Sequence, residues 1–517
     1  MNRRNFVKFA GTLGVSAAID RTSLWAQSAD APLPEKRTPP DPQFSFQKLL
    51  EQAESLSQTP HNPPRLDLPA ELADLNRDRY QAIQFKDAAA IWRDEPVNFQ
   101  LKLFHTGFQY RTPVEIEIVE NGMATPIAYS PSLFDFKAPL KAPPENSRSG
   151  FSGLSAETAI HDADGYAAFL AFQGATFFRA LAAGQVFGLS ARALSVNTAQ
   201  TSGEEFPFFR KIWVEKPRFG ERTLTIYALM DSPGITGAYK FRAVPGKSTV
   251  IDVDCTLFPR RTLPHVGIAP ISSMYFQGAA DPTLETGYRP NVHSSDGLQI
   301  WNAAGEWIWR PITNPEQLQY SVFVDRTPHG FGLLQRNRTF SAYEDLNARF
   351  DLQPSLWVEP VGNWREGAVD LIEVPSQSEI YDNIIVFWRP RYPLETGQRY
   401  SFSYRLHWSG DIPLRSDRAG VVQTLIGHGT ESGDTAFIID FDSTHSCRNC
   451  NVNAYEPELR AGDGEIRSRS VQPNPATGGQ RVMFEFRPGE QQETDLTCQL
   501  KNDGQVVSET WVYRWAR

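Results

Sequence analysis

Cysteine is scarce in this sequence, with four residues in 517: Cys255, Cys447, Cys450 and Cys498. The CRNC pair at 447–450 invites a metal or redox reading, but a zinc site wants a second ligand pair and only His445 lies close. A thioredoxin-like site wants a strand–helix setting, and this pair sits in loop-like DSTHSCRNCNVN. A local disulfide or free thiols remain, with the pairing open. Long hydrophobic runs are lacking too, so no segment is a candidate membrane span. No basic run or stripe offers a footprint for nucleic acid or anionic lipid. Also missing are a GxSxG elbow, an HExxH zinc motif and a phosphate-cradling glycine loop. No repeat at the roughly 20–50-residue periods of solenoids and propellers stands out. These absences leave neither cofactor nor metal expected.

The first residues read MNRRNFVKFAGTLGVSAAI. Arg3 and Arg4, then Phe6, then a mildly apolar stretch ending in small residues make an export signal of the twin-arginine type over residues 1–26. The predicted destination is the periplasm, a compartment that permits disulfides. Removing 1–26 takes away four basic residues and one acidic, so the net charge moves from −9 to −12. Such a surface repels phosphates and suits a neutral ligand.

A chain of 517 residues exceeds what one ordinary core serves, so at least two domains are expected. Residues 27–65 read as an extended lead-in holding one amphipathic helix, FSFQKLLEQAESL. From about residue 80, alternating runs such as VNFQLKLFH, VEIEIVE, TLTIYALM, QYSVFVDR and NIIVFW recur between Gly, Pro, Asn and Asp clusters. That texture predicts a large antiparallel all-β protein. Helical pattern is confined to small pieces, such as AETAIHDADGYAAFLAFQGATFFRALAAG. One large β unit fits residues 40–408, a polar linker 409–420, and a sandwich of six or seven strands with immunoglobulin-like size and spacing 421–517.

Several polar–aromatic clusters interrupt the strands. They place His105, Tyr110 and Arg111 in one stretch; Glu204, Glu205, Arg210 and Trp213 in another; Asp231 and Tyr239 in a third. Further along come His293, Asp296, Trp301, Glu306, Trp307, Trp309 and Arg310, then Trp357, Glu359 and Trp364, then Glu379 and Asp382. Each has a plain structural alternative. Asp296-Gly297 is a good turn pair, and Trp307 and Trp309 share one strand face, where core packing explains them as well as sugar stacking does. In PSQSEIYDNIIVFW, residues 375–388, Asp382 and Asn383 either make a turn or hold a carboxyl at a strand mouth. Carboxylates, Trp and Arg without a nucleotide or metal motif suit a pocket for neutral hydroxyls.

The stretches FQLKLFHTGFQYRTPV, SGEEFPFFRKIWVEKP, LTIYALMDSPGITGAYKF, AAGEWIWRPITNP, HGFGLLQRNRTF and PSLWVEPVGNWREGAVDLIEVP closely resemble the periplasmic glucan biosynthesis proteins of the OpgG/OpgD (MdoG/MdoD) family. The likeness runs from about 43 to 408, more weakly onward to SETWVYRW, and the twin-arginine signal looks more like the OpgD branch. The resemblance implies a galactose-mutarotase-like β-supersandwich followed by a small immunoglobulin-like β-sandwich. It implies work on osmoregulated periplasmic glucans, whose backbone is β-1,2-linked glucose, with a membrane glucan synthase as a partner.

Members act as inverting endo-β-1,2-glucanases. The position of Asp382 implies the general acid, with Glu379 beside it. An inverting glycosidase needs one protonated carboxyl on the leaving oxygen and a separate base that activates water. A carboxylate neighbour such as Glu379, with shielding by Phe387 or Trp388, would push Asp382 toward its neutral form. The base position departs from the family pattern: His-Asp-Ser-Asp-Gly is here His293-Ser294-Ser295-Asp296-Gly297, leaving Asp296 as the loop's carboxylate. Phe350 stands where relatives commonly have Tyr. Three alternatives follow: a glucan-cleaving enzyme, a binding protein that organises nascent glucan without breaking bonds, or a chain whose C-terminal sandwich serves as a protein-docking module.

Overall fold

The computed structural model describes residues 43–517 apart from 65–67, 139, 146, 148, 162–164, 282–286, 414–415 and 444–453. The expected export signal and the Cys447–Cys450 pair lie outside these residues. Cys255 and Cys498 are both buried free thiols.

Two large sheets face each other. One runs in the order Gln100–His105, Phe151–Thr158, Ala167–Gln173, Phe177–Ala180, Ser190–Arg192, Val266–Ser273, Ile384–Pro390, Glu366–Glu373 and Gln319–Arg326, with Leu194–Val196 also on Val266–Ser273. The other contains Gly297–Trp301, Gly330–Leu334, Ser355–Val361, Tyr400–Ser409, Thr249–Pro259, Ile235–Val244, Leu224–Asp231 and Phe208–Glu215 in sequence across its width. Side chains alternate across each strand, so every second residue enters the space between the sheets. Leu101, Leu154, Phe172 and Val386 meet Ile226, Phe241, Val253 and Leu406 there in one continuous core. Nearly all regular structure is strand, as the alternation predicts.

The apolar run after Asp382 has a simple cause. Strand Ile384–Pro390 is buried on both faces over its first five residues. Ile384, Val386 and Trp388 enter the main core. Ile385 and Phe387 meet Ile372 and Val374 on the opposite face. A strand covered on both sides reads as a run rather than an alternation.

The lead-in helix is Phe46–Ser57, capped by Ser45, whose Oγ accepts from Lys48 N at 3.2 Å. Leu49, Leu50 and Ala53 lie against Trp213, Tyr227 and Phe258 on the outer face of the larger sheet. The helical piece expected near 156–184 is instead three strands, Phe151–Thr158, Ala167–Gln173 and Phe177–Ala180. Its alanines suggest helix by propensity, but Ala156 and Ala180 are core positions in a sheet. The turn at Gly174 and Ala175, both at positive φ, cuts the segment into strand lengths.

The C-terminal strands form a second sandwich. Val421–His428, Thr435–Phe441, Gly479–Arg487 and Glu465–Asn474 make a four-stranded sheet. The facing layer, Tyr455–Ala461, Glu493–Asn502 and Thr510–Ala516, does not stand apart. Thr510–Ala516 pairs in parallel with Trp307–Pro311, Trp309 opposite Trp511, so the larger sheet continues from one sandwich into the other. Within the 409–420 stretch, Ala419 is buried and its N–H donates to Val507 O at 2.8 Å.

Candidate active site

Asn383, not Asp382, does the turn's work. Its Nδ2 donates to Val374 O at 3.0 Å, and its Oδ1 accepts from Tyr275 N at 2.8 Å. With Val374 N on Asn383 O at 2.9 Å, it closes the base of the 374–383 loop. Asp382 is thereby free to point at the sheet. Its Oδ2 accepts from Ser190 Oγ at 3.2 Å and lies 3.8 Å from Arg179 Nη2. The side chain is 13% exposed, as is that of Arg179. Burial raises the Asp382 carboxyl above its ordinary value, against the opposing pull of Arg179, the Ser190 hydrogen bond and Arg192.

The source of that rise differs from the expectation. Glu379 gives its charge to Arg289, Oε2 to Nη1 at 2.8 Å. The leading influence on Asp382 is loss of water, which raises it, and the two arginines oppose that rise. Phe387 and Trp388 pack into the cores on either side of their strand.

Arg179, Ser190 and Arg192 alternate with the core residues Phe178, Ala180 and Ala191, so they share the face away from the core. Arg192 Nη1 donates to Glu204 Oε1 at 2.7 Å and Nε to Ser272 Oγ at 2.9 Å, with its guanidinium 4.4 Å from the Phe177 ring. Beyond Arg179 a cavity of about 610 Å³ opens over the same face, lined by Tyr80, Lys102, His105, Tyr110, Gln173 and Arg179 among others. That size suits a small ligand or a few sugar units. Lys102 is held by Asp87 at 2.7 Å and Glu157 at 3.0 Å. Tyr110 feels the charges of both Arg179 and Asp382, and burial raises its hydroxyl. His105 is buried in the wall, its Nε2 2.7 Å from Tyr129 Oη and its Nδ1 donating to Thr106 O at 2.5 Å. Burial lowers this imidazole to about 4.

Asp296 has different neighbours. Its Oδ2 accepts from the backbone N–H groups of Arg336 and Asn337, the latter at 2.9 Å, and Oδ1 lies 3.4 Å from His293 Nε2. His293 stacks on Tyr275 with centroids 5.1 Å apart, and burial lowers its imidazole below the ordinary value. One route joins the two acids: Asn383, next to Asp382, holds Tyr275 N, and Tyr275 stacks on His293. Phe350 is buried beside Tyr343, ring centroids 5.8 Å apart. The Tyr343 hydroxyl donates to Asn337 O at 2.8 Å and feels the Asp296 charge.

The remaining candidates lie elsewhere. Trp307, Trp309 and Trp357 are buried in the core of the C-terminal sandwich with Phe437, Phe484 and Trp511, so no ring face is open to a sugar. Arg310 is sealed in an ion pair with Glu373 at 2.8 Å, the side chains 1% and 0% exposed. Glu306 accepts from Thr510 Oγ1 at 2.6 Å in the same seam. Trp364 packs on Trp388 and Tyr404 in the main core. Arg210 and Asp231 meet at 2.6 Å, but Arg260 at 2.7 Å and His61 at 3.3 Å complete a buried cluster that anchors the lead-in. Arg111 is largely exposed and donates to Phe108 O and Ala73 O.

Sequence reasoning missed Arg179, Ser190 and Arg192. A lone arginine in the apolar run ATFFRALAAG was the available signal, hidden by the helical reading of that segment. Among the described residues, no group of three or more His, Cys, Asp or Glu could hold a metal ion, and no helix is long and apolar enough to cross a membrane.

A family model described as "Periplasmic glucan biosynthesis protein, MdoG" matches residues 44–515. A "Glucans biosynthesis protein G" of Rhodopseudomonas palustris (strain BisA53) is 42% identical over 517 residues, covering 100% of both chains. Another so named, from Shewanella sp. (strain W3-18-1), is 40% identical over 481 residues, 91% of this chain and 87% of that one. Among solved structures, a galactose mutarotase related enzyme from Lactobacillus acidophilus aligns with TM-score 0.21 and 7% identity over 47% of this chain and 99% of its own. By the extent of these sequence matches, the chain belongs to the MdoG family of periplasmic glucan biosynthesis proteins.

Proposed function

We propose that this protein is exported by the twin-arginine route and cuts the β-1,2-linked glucose backbone of periplasmic glucans, as an inverting endo-glucanase with Asp382 as general acid. One observation carries it: Asp382 is a mostly buried carboxyl whose hold on its proton is raised by burial, and it lies 3.8 Å from Arg179, which lines a cavity of about 610 Å³. A glycosidic oxygen leaving toward that face would take the Asp382 proton. Asp296, fixed by backbone N–H groups and His293, is the candidate for the carboxylate that acts through water. Residues 421–517 form the immunoglobulin-like unit and a membrane glucan synthase supplies the substrate.

The test is linear β-1,2-glucan with products followed by reducing ends and by anomeric form. Wild-type protein should release short glucosides of inverted configuration, and Asp382→Asn should bind glucan and release none. Retained turnover in Asp382→Asn removes it as the acid.

A second function has its own support. Asp296 Oδ2 already accepts two backbone N–H groups, and the family resemblance implies an Asp where Ser294 stands. A chain without a working base would hold nascent glucan and organise it for the synthase. Calorimetric binding with no new reducing ends over long incubation would establish that function and end the hydrolytic one.

A further inference from the structure

Glu379 sits three residues before Asp382, yet its carboxylate turns to Arg289. Arg289 Nη1 lies 2.8 Å from Glu379 Oε2 and 2.8 Å from Asp345 Oδ2. These residues belong to three different connections: Glu379 to the 374–383 loop, Asp345 to the 335–354 stretch that also supplies the two N–H groups on Asp296, and Arg289 to the segment leading into Val292–His293. All three side chains are mostly covered, with Asp345 the deepest at 5% exposed. Burial works against the charge of Asp345, but the Ala348 N–H, Arg289 and the Asn347 N–H outweigh it and hold its carboxyl below the ordinary range.

Apolar burial does little for the tips of these loops. Tyr288 is 80% exposed and Leu346 77%, and Ile380 and Tyr381 also face solvent. The 374–383 loop is fixed at its base by Asn383 and near its start by Ser376, which exchanges hydrogen bonds with Asn314 at 2.8 and 2.9 Å. Between those ends, Glu379 is the side chain that reaches across to another loop through a charged pair. Two partly buried charge-assisted bonds from one guanidinium set direction as well as distance.

We infer that Arg289 is a positioning residue: by clasping Glu379 and Asp345 it holds the loop bearing Asp382 in register with the loop bearing the Asp296 donors. This rests on the hydrolytic function proposed above. It gives Glu379 a mechanical role in place of the electrostatic one expected from its place in the sequence. An inverting displacement needs acid and base at a fixed separation across the sugar, and a misplacement of about 1 Å costs up to about a hundredfold in rate.

The test uses the full chain and four proteins: wild type, Arg289→Met, Arg289→Lys and Glu379→Gln. Arg289→Met should lower kcat on linear β-1,2-glucan by roughly ten- to a hundredfold, leave KM near wild type, and leave the alkaline limb of the pH profile in place. Arg289→Lys should recover part of the loss. Hydrogen exchange of peptides covering 375–383 and 337–350 should speed up in Arg289→Met and Glu379→Gln together. Unchanged exchange in both peptides overturns the clasp. An alkaline limb displaced by Glu379→Gln also overturns it, because Glu379 would then act on Asp382 by charge. Should the wild type release no fragments, the hydrolytic function falls separately, and exchange alone decides whether the clasp exists.

Discussion

The face around Asp382 and the seam around Trp309 use the same residue types to opposite ends. Both bring arginine, carboxylate and aromatic side chains together. In the seam the aromatics are closed in by other aromatics, and Arg310 and Glu373 are fully dry. Arg336 lies 3.6 Å over the Trp309 ring and donates to both oxygens of Glu509, at 2.9 and 2.8 Å. On the Asp382 face Tyr80, Tyr110 and Arg179 stand at a cavity wall, and the carboxyl keeps a 13% opening to solvent. Composition cannot separate these cases, because what differs is whether a space is left over after packing. The comparison breaks if mutations on the face cost stability, or if mutations in the seam cost turnover per folded molecule.

The sharpest break is Asp382→Asn. Loss of a general acid should cut turnover by about 10²–10⁴. Folding should not suffer, since burial raises this carboxyl above its ordinary value and the amide is a neutral replacement of the same shape. The sign of the pH effect follows from the raised value: the fold binds this proton more tightly than the unfolded chain does. The associated stability is fully present at low pH and lost as pH rises through the raised value. Equilibrium unfolding of wild type and Asp382→Asn across that range should show the wild type alone losing ground on the alkaline side.

Next in size come the seam variants. Trp309→Ala should cost about 3–5 kcal/mol by leaving a cavity in the C-terminal core. Glu373→Gln leaves Arg310 buried without its counter-charge and should cost about 3–5 kcal/mol. Denaturant unfolding measures both, and glucan turnover corrected for the folded fraction should stay at the wild-type level. Removing residues 409–517 takes this further. It strips Trp307, Trp309 and Trp357 of their aromatic partners in the C-terminal sandwich and leaves Trp307–Pro311 an open edge where Thr510–Ala516 had paired. The truncated chain should aggregate, which size-exclusion chromatography measures; a soluble, active truncation would instead favour a detachable docking module.

How far the sequence reaches is clear from particular stretches. Alternation gave away strands such as Gln100–His105 and Gln319–Arg326, and an amphipathic run gave away Phe46–Ser57. The strands carrying Arg179 were illegible, because alanine-rich segments score as helix until a sheet's close packing claims them. Asp382 was legible as a carboxyl out of place before an apolar strand. Its partners were not: Ser190 and Arg179 lie about 200 positions upstream and meet it only through the sheet order. Pairing across Trp307–Pro311 and Thr510–Ala516 was equally hidden, since a parallel contact between residues some 200 positions apart leaves no local trace.

The smallest expected effect discriminates most finely. Arg179 both lines the cavity and opposes the burial that raises the Asp382 carboxyl. Replacing it by methionine keeps much of the side chain's length and removes the charge. The Asp382 carboxyl should then rise further, and the alkaline limb of turnover, where the acid loses its proton, should move to higher pH. Stability should change less than in the seam variants, because the Arg179 side chain borders a cavity rather than filling a closed core. A limb that moves to lower pH would mean that Arg179 raises the proton affinity of the acid through some other group. In that case the face around Asp382 is built as the seam is, by mutual support among its charges, and the contrast between the two regions dissolves.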